Sequence, residues 1–473
     1  MFTEPEPARG VYANRTLNLR SVEAIGYDMD YTLIHYRTQE WERAAFEHAC
    51  RVLDEHGFDV SDFVFDHEHY LQGLVIDLEL GNLVKATRFG YVIQAQHGTR
   101  ILSFDEVRTA YAGVVVDLAE ARFRFLNTLF SISEAALYAQ MVDRLDAGMI
   151  DGPFGYADLY RTCSAALDES HTTGALKAEI INDPDRFCDL DPETAQTLID
   201  QRLAGKRLLL ITNSEWSYAA AMMSYAFDGF APSGDWRDLF DMVLVAASKP
   251  RFFTENAPSF RVVDTDRGLL EPHAGAMVDG EVYHGGSAAL VERSLGLTGD
   301  QILYIGDHLF GDMHVTKSEV RWRTAFIIRE LEAEIAAAAR FATDEAQLRA
   351  LMTEKADLEH RLSLNRLSRA RRAAGLDEEP DSETSSPARE PNEKLRSALR
   401  ELDDQITPLA RAAGNLGNPN WGPLMRAGND KSLFARQVEK YADVYTSRVG
   451  NFSRRTPYAF LRAARTSLPH DIP

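Results

Sequence analysis

The hexapeptide DMDYTL at 28–33 sets two carboxylates, Asp28 and Asp30, two residues apart where an apolar run ends. That spacing lets two acids face one phosphorus from different directions, which is what phosphoryl transfer needs. One carboxylate attacks in line to form an aspartyl-phosphate; the other protonates the leaving oxygen and later deprotonates the attacking water. Asp28 suits the nucleophile and Asp30 the acid/base. By itself a DxD at a strand end more often describes a solvated turn or a helix cap, so the chemistry depends on what else the chain brings to the same place.

Three further segments offer partners. ITNS at 211–214 ends an apolar strand in Thr212 and Asn213, a hydroxyl and an amide able to donate to phosphate oxygens, though Thr212 or Ser214 would serve as well in a helix cap. AASKPRFF at 246–253 carries Lys249, which supplies a point charge for the transferring group and can hold two carboxylates ionised side by side. Apart from those neighbours it would be a surface lysine. YIGDHLFGD at 304–312 closes a strand with Asp307 and adds Asp312 after a glycine-containing turn. Clustered hard oxygens suit Mg2+, which keeps several waters and needs few protein ligands. The expected metal set is Asp28 and Asp307 through their side chains, Asp30 through its carbonyl, and Asp312 in direct contact or one step removed. A cation also relieves the repulsion among four acids.

These residues must be delivered to one edge. The run 21–28 reads as a buried strand carrying Asp28, and 206–213, 240–247 and 301–307 read as buried parallel strands by their length and leucine or β-branched content. In open α/β sheets chemistry sits at the carboxyl edge of such strands. Between the first two lie a helical stretch at 40–57, strands within 73–96 broken at Gly81-Asn82 and Phe89-Gly90, and helical stretches expected over 114–147, 156–169 and 192–203. The expected fold class is therefore α/β: a Rossmann-like parallel core over 1–37 and 200–330, with a mostly α-helical cap, the substrate domain, inserted over 38–199. Residues 331–473 read as a helical extension. In it a long hairpin flanks a Pro/Ser/acid-rich segment near 374–394, expected to be disordered, and further C-terminal helices pack on the core.

Composition narrows the partners. The 473 residues include 51 Lys+Arg against 72 Asp+Glu, a net charge of −21, and such a field repels nucleic acid and anionic membrane. Neither a basic, apolar leader nor a run of about 20 apolar residues is visible. The three cysteines, Cys50, Cys163 and Cys188, form no CxxC pair, which fits a reducing, cytoplasmic setting.

Taken in order, DMDYTL, ITNS, Lys249 and GDHLFGD resemble the four motifs of haloacid dehalogenase-like phosphatases. More closely, the chain resembles the cytosolic purine 5′-nucleotidases that prefer IMP and GMP. That likeness extends to GLVIDLELGNLVK at 73–85, LNTLFSISE at 126–134, WRT at 322–324, FARQVEKYADVY at 434–445 and PYAFLRAARTSLPHD at 457–471. The resemblance implies Mg2+, an aspartyl-phosphate, water or a nucleoside 5′-hydroxyl as acceptor, and a homo-oligomer, dimer or tetramer. It makes Asp168, His171 and Lys177 of LDESHTTGALK candidate substrate contacts, although as plain sequence Asp168 and His171 read rather as helix-surface residues. Ser164 stands where the family carries a purine-reading arginine, and a hydroxyl cannot reproduce a guanidinium fork. The resemblance further implies an effector site for ATP-like anions, fitted by Asn82, Phe310, Gln437 and Tyr441, with Gln72 and Ser318 where relatives carry basic residues. The alternatives are a phosphatase of another small metabolite or an inactive scaffold. Asp30 speaks against a dehalogenase, which needs no acid/base there.

Overall fold

The computed structural model describes residues 6–172, 174–376 and 391–465, with only the backbone at 171 and 172. Its core strands are short apolar runs without a polar face: β1 (Ala24–Tyr27), β2 (Arg207–Ile211), β3 (Met242–Val245), β4 (Ile302–Gly306) and β5 (Arg323–Ile327). Nearly every residue in them is buried, as expected of parallel strands covered on both faces. They lie side by side in the order β5-β4-β1-β2-β3, all parallel. The register aligns Tyr27 with both Ile305 and Leu210, and Ile211 with Leu244. Asp28, Thr212, Ala246 and Asp307 therefore leave the sheet at the same edge.

Five more strands complete a ten-stranded sheet. Val282–Gly285 extends it in parallel beyond β3, followed by the antiparallel hairpin Ser259–Asp264 and Leu269–His273. Beyond β5 come Val444–Thr446 in parallel and Val11–Ala13 antiparallel. Sequence patterning missed all five, and β5 with them, because each is short and partly polar. Val444–Thr446 draws the C-terminal stretch into the sheet, where only helices were expected.

Among the described residues, the chain between β1 and β2 adds no strand to this sheet. It leaves and returns where Tyr36 and Cys188 form an antiparallel bridge. The helix Thr38–Glu55 buries Trp41, Ala45, Ala49 and Leu53 at helical spacing, and Tyr156–Thr172 follows later. A five-stranded antiparallel sheet forms from Val75–Asp77, Asn82–Ala86, Val92–His97, Arg100–Ile101 and Phe123–Phe125. The helix expected over 114–147 is corrected here: Phe123–Phe125 is a strand paired with Val75–Asp77, and helix begins only at Ser131. Phe123 and Phe125 alternate toward the apolar cluster of Val75, Val84 and Ala95, and that packing overrides helical spacing.

The chain divides into two compact units, one running to Ala333 and resuming at Leu424, the other Glu334–Pro423. The second is built on the helices Leu331–Ala373 and Asn392–Gly414, packed through Leu358, Leu395, Leu402 and Ile406. Most of the segment expected to be disordered, 377–390, lies outside the described residues.

Candidate active site

At the carboxyl edge of β1, the Asp28 N–H donates to the Ile305 carbonyl at 2.9 Å, so the chain is still in register when the first carboxylate emerges. Its Oδ1 accepts from the Met29 N–H at 2.8 Å, and its Oδ2 lies 2.7 Å from the Lys249 ammonium. The same ammonium is 2.9 Å from Asp312 Oδ1 and donates to the Tyr304 hydroxyl at 2.8 Å. The turns carrying these groups use left-handed backbone at non-glycine positions: Tyr31 at φ 52°, Ala246 at 49° and Ser248 at 60°. Such conformations cost about 1–3 kcal/mol each and persist only where surrounding packing over-determines them.

Asp312 reaches the site from a short π-helical segment, Leu309–His314, and accepts from the His308 N–H through Oδ2 at 3.1 Å. It passes directly over Gly306: a β-carbon there would stand 2.4 Å from Asp312 Oδ2. Only glycine lets strand β4 and this carboxylate approach so closely. Asp307, the next residue, accepts from the hydroxyls of Thr128 at 3.2 Å and Thr32 at 3.4 Å. Both threonines were missed as site residues, although both lie in segments, DMDYTL and LNTLF, that drew attention for other reasons.

Asp28, Asp307 and Asp312 are all buried and bring ligand oxygens within 4.8 Å of one another. Burial pushes the Asp28 carboxyl up to about 7 against the pull of Lys249, with Asp312 pushing the same way. Burial raises Asp307 well above the carboxylate range, reinforced by Asp28 and Asp312. Lys249 would be depressed by its burial, yet the charges of Asp28 and Asp312 outweigh that and raise it. One ammonium therefore pairs with Asp28 and Asp312, and Asp307 adds a third carboxylate beside them. Three hard oxygens and an excess of negative charge fit a divalent cation.

Asp30 is not one of this trio. Its Oδ1 accepts from the Tyr36 hydroxyl at 2.5 Å and its Oδ2 from the Ser214 hydroxyl at 2.8 Å. Burial raises its pKa while those two hydrogen bonds oppose the rise. Thr212 is fully buried, and its hydroxyl accepts from the Ser214 N–H at 3.1 Å. Asn213 spends its amide on the backbone of Lys249, accepting from its N–H at 2.6 Å and donating to its carbonyl at 3.1 Å. The second motif thus fixes the lysine loop as well as bordering the site.

The expected substrate residues are less gathered. Lys177 lies over the Tyr218 ring at 5.3 Å, within reach of Asp30's charge. Asp168 is exposed on Tyr156–Thr172, and the side chain of His171 lies outside the described residues. Ser164 donates to the half-buried Glu134. Of the expected effector residues, Phe310, Gln437 and Tyr441 line one cavity of about 710 Å³ together with Arg88, Arg436 and Lys440. Asn82 does not line it; its amide group bonds to Tyr111 and His97 instead. Arg88, Arg436 and Lys440 give this cavity positive charge, although Gln72 and Ser318 are uncharged.

Comparison with known proteins identifies the family. The family model described as the 5′ nucleotidase family matches residues 11–473. Among similar proteins, the human 5′-nucleotidase domain-containing protein 2 is 27% identical over 478 residues, covering 98% of this chain and 85% of that protein. A 5′-nucleotidase domain-containing protein of Dictyostelium discoideum is 26% identical over 472 residues, covering 98% of this chain and 75% of that one.

Proposed function

The chain belongs to the 5′-nucleotidase family, and from that premise we propose that it hydrolyses purine nucleoside 5′-monophosphates of the IMP and GMP type, using Mg2+ and an aspartyl-phosphate on Asp28. Hydrolysis of nucleoside monophosphates goes with the family. The purine base, the metal, the covalent route and a haloacid dehalogenase-like ancestry are our reading. One observation carries it: a lysine ammonium held between two buried carboxylates at a parallel-sheet edge, with a third acid beside them and a fourth held apart by hydroxyls.

In this reading Asp28 attacks phosphorus in line as the bond to O5′ breaks, and Asp30 gives its proton to that oxygen. A water then attacks the aspartyl-phosphate and yields its proton to Asp30, which releases orthophosphate and restores the Asp28 carboxylate. A second nucleoside's 5′-hydroxyl in place of the water gives phosphotransfer. Lys249, Thr212 and Asn213 border the transferring group, and the lysine opposes its charge. Asp28, Asp307 and Asp312, with the Asp30 carbonyl, would hold Mg2+, which would supply the positive charge that lets carboxylates and a phosphoryl group share this space. Asp168, His171 and Lys177 are the proposed nucleoside contacts. With Ser164 engaged by Glu134, base selection should be looser than an arginine would impose. A cytoplasmic homo-oligomer rests on the resemblance to the cytosolic enzymes alone.

The test is phosphate release with Mg2+ from a panel of nucleoside 5′-monophosphates and sugar phosphates. Purine monophosphates should lead in kcat/KM. Preference for a sugar phosphate, with nucleotides near background, would overturn the substrate class.

A further inference from the structure

A carboxyl two residues from a nucleophile, in a cluster this acidic, has two possible fates. It can join the metal-binding oxygens, or it can be kept aside to carry a proton. Nothing in the DxD spacing decides between them; the surroundings of Asp30 do. Both of its oxygens are engaged, Oδ1 by Tyr36 at 2.5 Å and Oδ2 by Ser214 at 2.8 Å. A carboxyl gripped on both oxygens cannot turn about its last torsion toward Asp28, Asp307 and Asp312 without breaking two hydrogen bonds.

Tyr36 is itself held in place. The Arg37 N–H donates to the Phe187 carbonyl at 2.6 Å and the Asp189 N–H to the His35 carbonyl at 2.8 Å, which pins the main chain on both sides of the tyrosine. Its ring packs against Trp41 at 4.3 Å and meets Tyr31 at 5.3 Å. The hydroxyl of Tyr218 lies 3.0 Å from that of Tyr36. Since the Tyr36 proton is committed to Asp30, Tyr218 must be the donor, and the chain runs in one direction, Tyr218 to Tyr36 to Asp30. A hydroxyl that accepts while it donates is polarised into a stronger donor.

We propose that Tyr36 is a positioning residue for proton transfer, holding the Asp30 carboxyl toward the leaving oxygen and away from the acidic cluster, with Tyr218 orienting the Tyr36 hydroxyl. The inference rests on Asp30 being the acid/base. Its placement is functional as well as structural, because Tyr36 lies where the chain crosses from the main sheet into the inserted region and pairs there with Cys188 on the return crossing. The acid is thereby tied to the junction that any relative motion of the two regions must bend.

A proton donor matters in proportion to the basicity of the leaving group. A nucleoside alkoxide needs the proton; 4-nitrophenolate leaves without it. Tyr36→Phe keeps the ring and removes the hydroxyl. In a single turnover it should slow leaving-group release on the order of tenfold to a hundredfold for a nucleoside 5′-monophosphate and less than about threefold for 4-nitrophenyl phosphate, with both KM values within about twofold. Equal losses on the two substrates, or a change confined to KM, would show a merely structural role and overturn the proposal. Asp30→Asn, measured alongside, separates the two levels. If it too shows no dependence on leaving group, the acid/base assignment has failed; if it shows the dependence and Tyr36→Phe does not, only the tyrosine inference has. Should Tyr36→Phe not fold, Ser214→Ala removes the other tether and is expected to show the same selectivity, and its absence there counts against the proposal.

Discussion

Asp28 and Asp30 stand two positions apart in sequence and in different chemical surroundings: the first is ion-paired to Lys249 at 2.7 Å, the second bonded only to neutral hydroxyls. If that difference assigns their roles, Asp28→Asn should abolish both turnover and acid-stable phosphate incorporation, whereas Asp30→Asn should accumulate phosphoenzyme from a substrate with a good leaving group. Rapid-quench labelling checks this, and phosphate trapped on Asp28→Asn would remove Asp28 as nucleophile. Gly306 gives a second prediction at this scale. A methyl group there would meet the Asp312 carboxylate at 2.4 Å, and Asp312 must then leave Lys249. Gly306→Ala should cost more than about tenfold in kcat/KM with the far-ultraviolet dichroism unchanged; an unaltered rate would mean that Asp312 is not needed where it lies.

Helix Thr38–Glu55 carries Glu42, wholly buried, with Oε2 accepting from the Ser133 N–H at 2.9 Å in the first turn of Ser131–Asp146. A carboxylate at a helix start is favourable, but burial prevails and pushes this group up to about 8. The sign follows from linkage. Below the ordinary glutamate range both folded and unfolded states hold the proton and there is no cost. As pH rises from about 4.5 toward 8 only the unfolded state releases it, so Glu42 progressively destabilises the fold, by an amount on the order of a few kcal/mol at the upper end. Glu42→Gln keeps an acceptor for Ser133 and removes the titration. Its melting temperature should exceed that of the parent at pH 8.5 and converge with it near pH 5, by differential scanning fluorimetry. A difference independent of pH would show that Glu42 does not titrate in this range. Elements were legible where one factor dominated, as in β1 to β4, whose apolar runs admit no other face. They were illegible at Phe123–Phe125, where two phenylalanines look helical until Val75–Asp77 is beside them.

At the scale of the molecule, the acidic cluster leaves folding and metal binding linked. A cation that binds only the folded chain stabilises it, by about 2.7 kcal/mol at a hundred times its dissociation constant. Mg2+ should therefore raise the melting temperature as well as restore activity lost to EDTA, while Ca2+, which relaxes octahedral geometry, should bind and inhibit. Asp307→Asn should lose most of the Mg2+-dependent shift; retention of the full shift would move the metal site elsewhere. The net charge of −21 bears on partners at the same scale, since the cations near the sheet edge and in the cavity lined by Arg88, Arg436 and Lys440 are local exceptions in a field that repels polyanions.

The sequence by itself determined the α/β class, the strands that end in Asp28, Thr212 and Asp307, and the identity of the charged groups that meet there. Those properties are written in short range: an apolar run of four or five residues fixes a buried parallel strand, and the residue after it must emerge at the sheet edge. The tertiary structure alone decided which carboxyl faces which partner. Tyr36, Ser214, Thr128 and Tyr304 come to the site from four separated stretches of chain, and none has a spacing that marks it. A hydroxyl carries no signal in a one-dimensional pattern, because its value depends on a hydrogen bond of about 2.5–3 Å to an atom that only folding brings near.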